Sequence, residues 1–498
     1  MPYWVGIFGV QSRQRYLTSN NRLRQTIGAS KLIDRSMDWW RQSGAGEELL
    51  YVGGGVAAVR FDSREIADAR ARQWSREWVV RAPGLRLVAG IARDQSLGKA
   101  WERARLKGLP FNEELSLLGD ELGALPVTQT CPDTGLAASK FFQTLEGKQW
   151  LSAEAVQKEE EQRFYNRQLD GDPQAGSDPK VDRYRSEVLG DRFKFPRELD
   201  NLGMQLGARH VALIHCDGNG MADLFGKEMS SHGDHEFRAK VYKTSEDCSR
   251  ASLGAIIRTL KTLISRLPAL SETISLVDAK HNRSYLPVRP LVDSGDDVTW
   301  IAHGRLGLLL AVEFCWAFEQ LTEQFLGKRH TACAGVLLMP VGFPFARGLE
   351  LASALCQEAK KARKKKPEGD TCRSWIDFHA VLEGSASDIK DIRKQKYREP
   401  LLGRPYSLGS GGSFDRFHRT WRKFAVEEPW RDARSRAKAL LNACERSNDA
   451  AQEMMRLFES QGYRAPESNP HYLFDPLELL DFHVDFTLPW ETQGVDHA

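Results

Sequence analysis

Two short stretches of this chain concentrate the residue types that phosphoryl chemistry uses. They are His215-Cys216-Asp217-Gly218-Asn219-Gly220 and Val292-Asp293-Ser294-Gly295-Asp296-Asp297-Val298. Each adjoins an apolar run of strand length, Val211-Ala212-Leu213-Ile214 before the first and Val298-Thr299-Trp300-Ile301-Ala302 after the second. An Asp at the end of one central strand and two Asps on a tight turn between two others can converge on one point. Clustered carboxylates repel, and divalent cations are their natural partners. Asp217, Asp296 and Asp297 are thus residue types suited to bridging the Mg²⁺ or Mn²⁺ ions of a two-metal nucleotidyl-transfer site. Gly218 and Gly220, flanking Asn219, let backbone N–H groups approach a triphosphate with no Cβ in the way. Lys360 is the residue placed on the β- and γ-phosphates. Taken singly, each feature also has an ordinary reading: Asp-Gly-Asn-Gly makes good turns, Ser-Gly-Asp-Asp a polar hairpin, and lysines favour helix C-termini.

The elements around them give the motifs their weight. Residues 3–10 (YWVGIFGV) form an apolar run of strand length, and Thr18–Trp40 carries helical spacing. Leu49–Val52 and Val56–Val59 are strands joined by Gly53-Gly54-Gly55. A helix is expected over Arg64–Val80 and a strand over Leu85–Ile91. That order is βαββαβ, a ferredoxin-like unit. The same order returns with a strand at Val211–Cys216 and helical material over Ala222–Arg266. Strands at Leu291–Asp293 and Val298–Ala302 follow, then a helix at Leu306–Phe325, a strand at Ala332–Met339 and a helix at Gly348–Lys364. An internal duplication with acids at the hairpin tip only in the second copy is the economical account. The fold expected is therefore α+β: two ferredoxin-like (βαββαβ) domains plus a mainly helical C-terminal domain. The segments are a first, acid-poor unit over 1–125, a helical or irregular insertion over 126–205, a second unit over 206–368 and the helical domain over 369–498. Asp170–Pro179 reads as a loop by composition.

Bulk properties exclude some classes. The 498 residues carry 70 basic and 67 acidic side chains, a net charge of +3, so no strong global field for polyanions exists. The local basic run is Lys360-Lys361-Ala362-Arg363-Lys364-Lys365-Lys366. The eight cysteines show no CxxC pairing and read as reduced thiols of a cytoplasmic protein without a zinc site. No apolar run approaches ~20 residues and no signal-peptide pattern opens the chain, so neither secretion nor membrane insertion is expected.

The strand-DGN-helix segment, the SGDDV hairpin, the Ala332–Pro340 strand and the Ala359-Lys360 helix together resemble the second Palm domain of the large subunit of type III CRISPR effector complexes. That family carries a GGDD hairpin and is related to the GGDEF diguanylate cyclases. The run Asn20-Asn21-Arg22-Leu23-Arg24-Gln25-Thr26-Ile27-Gly28-Ala29-Ser30-Lys31-Leu32-Ile33 is similar to the opening of the family's acid-poor first Palm. The resemblance implies ATP bound between the palms and its joining into a cyclic or oligomeric adenylate signal in antiviral defence. It implies Asp217, Asp296 and Asp297 as metal ligands and catalytic residues. Gly218 and Asn219 would shape the triphosphate site, Ser294 and Gly295 would form the tip under the ribose, and Ser30 and Gly54 would border a second nucleotide.

Three departures qualify it. Ser294 stands where the family has glycine, and a positive φ there would be strained. No His-Asp dipeptide of the nuclease domain occurs, and the paired-Cys insertion reduces to Cys131, so DNA cutting and zinc are expected to be absent. The partners that follow from the resemblance are a nucleoside triphosphate, RNA, small CRISPR-type subunits and a second copy of the chain, with no membrane. Two other readings are a palm scaffold that holds nucleotide or guide RNA without turnover, and a diguanylate-cyclase relative. The first is disfavoured by the retained acids and the second by the absence of the GGDEF glutamate.

Overall fold

The computed structural model describes residues 2–108, 128–144, 147–203, 210–221, 224, 234–279, 282–365, 372–381, 388–397 and 401–492. The segment boundaries expected near 125, 205 and 368 lie outside the described residues, as do Lys366 and, apart from Leu224, the helix expected over 222–233.

The first sheet is built from β1 (Tyr3–Gln11), β2 (Glu47–Gly53), β3 (Val56–Phe61) and β4 (Arg86–Asp94). Its order is β2-β3-β1-β4 and every neighbouring pair is antiparallel. The Thr18–Trp40 pattern resolves into a short α1 (Arg13–Thr18) and the longer α2 (Leu23–Asp38). With α3 (Arg64–Arg81), whose N-cap Ser63 accepts from Ile66 N, α2 covers one face through Ile33, Met37, Trp74 and Trp78. The other face packs on α4 (Leu97–Gly108) through Leu97, Ala100 and Trp101.

A connecting segment follows. It holds the ribbon β5 (Lys140–Thr144) and β6 (Gly147–Leu151), then α5 (Ala153–Asp170), which runs along α2. The loop expected over 170–179 ends at Asp178, whose carboxylate caps α6 (Pro179–Tyr184). Strand β7 (Phe193–Lys194) later joins β9 (Asp278–Ala279) and β10 (Arg283–Tyr285) in a small sheet.

The second large sheet runs β11 (Val288–Ser294), β12 (Asp297–His303), β8 (His210–Gly218), β13 (Ala332–Pro340), β14 (Trp375–Ala380), β15 (Tyr406–Ser407). Its first four strands repeat the order and senses of the first sheet: hairpin, first strand, last strand, all antiparallel. Pro290 sits on β11, an edge strand beside a bulge, where a missing N–H costs the ladder nothing. Between β8 and the hairpin lies α7 (Asp234–Arg266), and between the hairpin and β13 lies α8 (Gly307–Leu326). The buried face they cover includes Trp300, fully enclosed and packed edge-on against Phe314 of α8.

Helix α9 (Phe345–Lys364) lies on the opposite face, and a glycine makes that possible. A Cβ on Gly335 of β13 would fall 2.2 Å from Ala352 O and 2.4 Å from Cys356 N. Helix α9 is also the crossover to β14, which pairs parallel with β13. Strand β14 therefore extends this sheet from within the segment expected to be mainly helical. Beyond it come α10 (Ile389–Lys396), which packs on α9 and the core of the second sheet, and α11 (Ser413–Val426), α12 (Arg434–Arg446), α13 (Asn448–Ser460) and α14 (Phe474–Glu478), which pack on one another around Phe424, Trp430 and Leu440. The helical pattern expected over Arg431–Gln461 is broken at Ser447, which caps α13 by accepting from Ala450 N.

Candidate functional site

Strands β8 and β12 bring two of the three acids together. Asp217 lies directly opposite Asp297 in the antiparallel register, so both side chains stand on the same face, the one that carries α9. They line a cavity of about 350 Å³ with Ser30 and Asp34 of α2, His215 of β8 and Thr299 of β12. Like charges in this relation destabilise a sheet unless a cation intervenes. Lys360 supplies one, with Nζ 2.5 Å from Asp217 Oδ2. Burial works against the Lys360 ammonium, and the Asp217 carboxylate outweighs it, so the lysine is held above its ordinary range.

Asp296, on the turn, points elsewhere. It lines a second cavity of about 240 Å³ with Gly54, Tyr51, Trp101, Ser249 and Gly295. Burial, followed by the charges of Asp217 and Asp297, pushes its carboxyl up to about 6; Lys360 and a backbone hydrogen bond only partly oppose this. The three acids therefore feel one another across a hairpin edge while facing two cavities.

The turn itself is set by glycine. Gly295 has φ 71°, and a Cβ there would lie 3.2 Å from both N and Cα of Gly54. The two hairpin tips, one from each sheet, thus abut through backbone. Ser294 belongs to the extended strand β11 and pairs with Asp297, so the left-handed residue is Gly295 and the strain anticipated at Ser294 does not arise. Arg13 steadies the first tip by donating from Nη1 to Gly54 O at 2.6 Å.

The segment after Asp217 divides into different roles. Gly218 N donates to Asp296 O at 3.2 Å, closing the acidic turn onto β8. The Asn219 carboxamide is buried and donates to Thr331 Oγ1 at 3.0 Å, turned into the protein and away from both cavities. Gly220 takes φ 77° with open space where a Cβ would be. In the basic run, Lys360 is engaged with Asp217 and Lys361 with Glu358, while Lys364 and Lys365 are exposed.

Two features of the acid pair bear on a metal. Asp297 Oδ1 is buried without a hydrogen-bond partner, since His215 Nδ1 approaches only to 3.4 Å and bonds instead with Thr299 Oγ1 at 3.1 Å. The raised Asp296 carboxyl is likewise a charge in want of a counter-ion. Yet among the described residues no three His, Cys, Asp or Glu side chains converge as a closed metal cage would require. One or two carboxylates with the remaining positions open is the donor set of Mg²⁺ completed by substrate phosphates. The residues fit such an ion.

Sequence reading gave no role to His215, Thr299, Asp34, Tyr51 or Trp101. His215 was within reach, because a residue two before Asp217 on a strand must share its face. Thr299, two after Asp297 on β12, was within reach in the same way, while Asp34, Tyr51 and Trp101 come from the first unit and depend on contacts between the two sheets.

No family model and no curated protein matches the chain. Solved structures do. Csm1 in T. onnurineus matches with TM-score 0.53 and 11% identity, over 96% of this chain and 69% of that one. The Csm1–Csm4 cassette in complex with one ATP matches with TM-score 0.51 and 13% identity, over 96% and 70%. The same cassette with cA3 matches with TM-score 0.51 and 12% identity, over 97% and 70%. The fold of this chain is that of the Csm1 structures.

Proposed function

We propose that this chain is a divalent-cation-dependent nucleotidyltransferase that converts ATP into a cyclic or oligomeric adenylate signal, working as the large subunit of a CRISPR-type antiviral effector. The observation that carries it is the hairpin constellation: Asp217 facing Asp297 beside Lys360, with Asp296 pushed up to about 6 on the adjoining turn. Structures of the same fold contain ATP and the cyclic product class cA3, which supports the choice of substrate. They also pair Csm1 with Csm4, which supports a small partner subunit. In this reading the two βαββαβ units are the two ferredoxin-like palms, and the basic end of α9 is the first surface for RNA.

Asp217, Asp296 and Asp297 would hold Mg²⁺ or Mn²⁺, which when bound would neutralise phosphate charge and acidify the attacking hydroxyl. Lys360 exchanges Asp217 for a phosphate oxygen as substrate enters. Asp217 and Asp297 aim their charge at one cavity face, where Ser30 and His215 supply hydrogen bonds that orient the ribose and phosphates. Gly54 and Gly295 keep the two tips in backbone contact, so the two nucleotides approach across a narrow gap. A ribose 3′-oxygen then forms the new bond to the α-phosphorus of the second nucleotide, and pyrophosphate departs.

One observation favours a scaffold that binds nucleotide without turnover: among the described residues no closed metal cage exists, and Asp217 is already neutralised by Lys360. Incubation with labelled ATP, or each other NTP, plus Mg²⁺ or Mn²⁺ separates the two. Phosphodiester product lost in Asp296→Asn/Asp297→Asn supports the enzyme. Nucleotide binding without product, with RNA and partner subunits both present and omitted, leaves the scaffold.

A further inference from the structure

A fourth acid of the hairpin, Asp293, is held in a way that the transfer chemistry does not use. It lies three residues before Asp296 on β11, opposite Val298, with its side chain only 2% exposed. Lys31 Nζ and Lys180 Nζ each lie 2.7 Å from its Oδ1, and Tyr184 donates to Oδ2 at 2.9 Å. Lys31 also sits 4.6 Å above the Tyr165 ring, and Asp34 lies 3.4 Å from Lys31 and 3.5 Å from Lys180. Two ammonium groups thus face two carboxylates. Burial pushes the Asp293 carboxyl up, and the two lysines outweigh it and hold it far below the usual carboxylate range.

The partners come from separate parts of the chain. Lys31 is on α2 of the first unit, Lys180 and Tyr184 are on α6 and Tyr165 is on α5 of the connecting segment. Buried ion clusters of this kind seldom add net stability over apolar side chains of equal volume, and their best-attested use is to fix one arrangement over others. Here the arrangement that needs fixing is evident, because Gly295 lies so close to the Gly54 backbone that a Cβ would press on it at 3.2 Å.

We propose that Asp293 is a positioning residue, a buried anchor through which Lys31, Lys180 and Tyr184 hold the Gly295-Asp296-Asp297 tip in place against the first βαββαβ unit. Its effect on transfer rests on the nucleotidyltransferase reading; its effect on the hairpin does not. An error of ~1 Å at a reacting centre costs on the order of 100-fold in rate, so a loosened tip is felt in turnover before it is felt in folding.

Hydrogen exchange on the full chain tests this. Asp293→Asn and Lys31→Met should each speed amide exchange over 291–299 by about tenfold, with strands 211–217 and 333–339 unchanged, and Lys31→Arg should restore it. In an active protein the same variants should lower kcat with KM for ATP held. Unchanged exchange at 291–299 in folded Asp293→Asn overturns the proposal, and so does a uniform rise across the second sheet. If the wild type makes no product, exchange still decides the anchor and only the enzyme reading falls. If Asp293→Asn does not fold, Lys180→Met and Tyr184→Phe, each of which keeps the Lys31 pair, carry the same measurement with the same criteria.

Discussion

The two βαββαβ units place different chemistry at the same backbone position. In the first, Gly9 of β1 stands between Val56 and Val88; in the second, Asp217 of β8 stands between Asp297 and Cys333. Val56 and Asp297 are each the first residue of the strand that returns from the hairpin. The sheet order and strand senses coincide, so nothing in the backbone calls for acids at these points. Opposed carboxylates cost a sheet a few tenths to about 1 kcal/mol, and the second unit bears this with one lysine and an elevated Asp296. Residues that weaken the fold where a glycine and a valine would serve are best explained by what they bind.

Erasing the contrast should have the largest effect. Asp296→Asn/Asp297→Asn makes the second hairpin nearly as charge-free as the first, and we expect loss of at least ~100-fold in nucleotidyl transfer with the fold intact by circular dichroism. The acids should also leave a mark on pH dependence. Asp296 has its folded carboxyl raised to about 6 from an ordinary 3.8, so the folded state binds more protons than the unfolded state between those values. The Asp296 contribution to stability should therefore be greatest below about pH 4 and fall by about 3 kcal/mol as pH rises through 6. Urea unfolding of the wild type against Asp296→Asn isolates the contribution, because the variant should lose that slope. Transfer activity should climb over the same window as the carboxylate forms.

Lys360→Met leaves Asp217 and Asp297 opposed without a cation. We expect about 1 kcal/mol of destabilisation, relieved by adding Asp217→Asn, in a double-mutant unfolding cycle. The smallest effect should come from Ser294→Gly, which restores the paired-glycine tip. Because Ser294 is extended strand and Gly295 takes the positive φ, the change should cost only about 0.5–1 kcal/mol in the same assay and leave transfer within about threefold.

How far the sequence could be read follows from which contacts are local. Strand runs such as Val211–Ile214 and hairpin punctuation such as Gly53–Gly55 are local signals, and they placed both units with their order. The Asp217–Lys360 pairing was legible only as a role for each residue; that they touch depends on Gly335 letting α9 lie against β13. Strand β14 was hidden because Asp377 and His379 interrupt its apolar run; Asp377 is satisfied there by Arg393 at 2.8 Å and by Phe378 N, and His379 packs edge-on against Tyr397. Asn219 has a contact that its motif did not announce. Its motif suggested the triphosphate, and its side chain is spent on Thr331. Least legible was Asp293, whose partners Lys31 and Lys180 lie far away in sequence and meet it only once the two units have closed.

One of the two units alone is expected to carry a cation-dependent centre. Electron paramagnetic resonance of Mn²⁺ added with AMPPNP tests it most directly. The expected result is protein-bound Mn²⁺ that is lost in Asp217→Asn and in Asp297→Asn and is indifferent to Val56→Asn on the first hairpin. Mn²⁺ binding that survives both acid substitutions, or that fails with Val56→Asn while Asp297→Asn retains it, would contradict the claim.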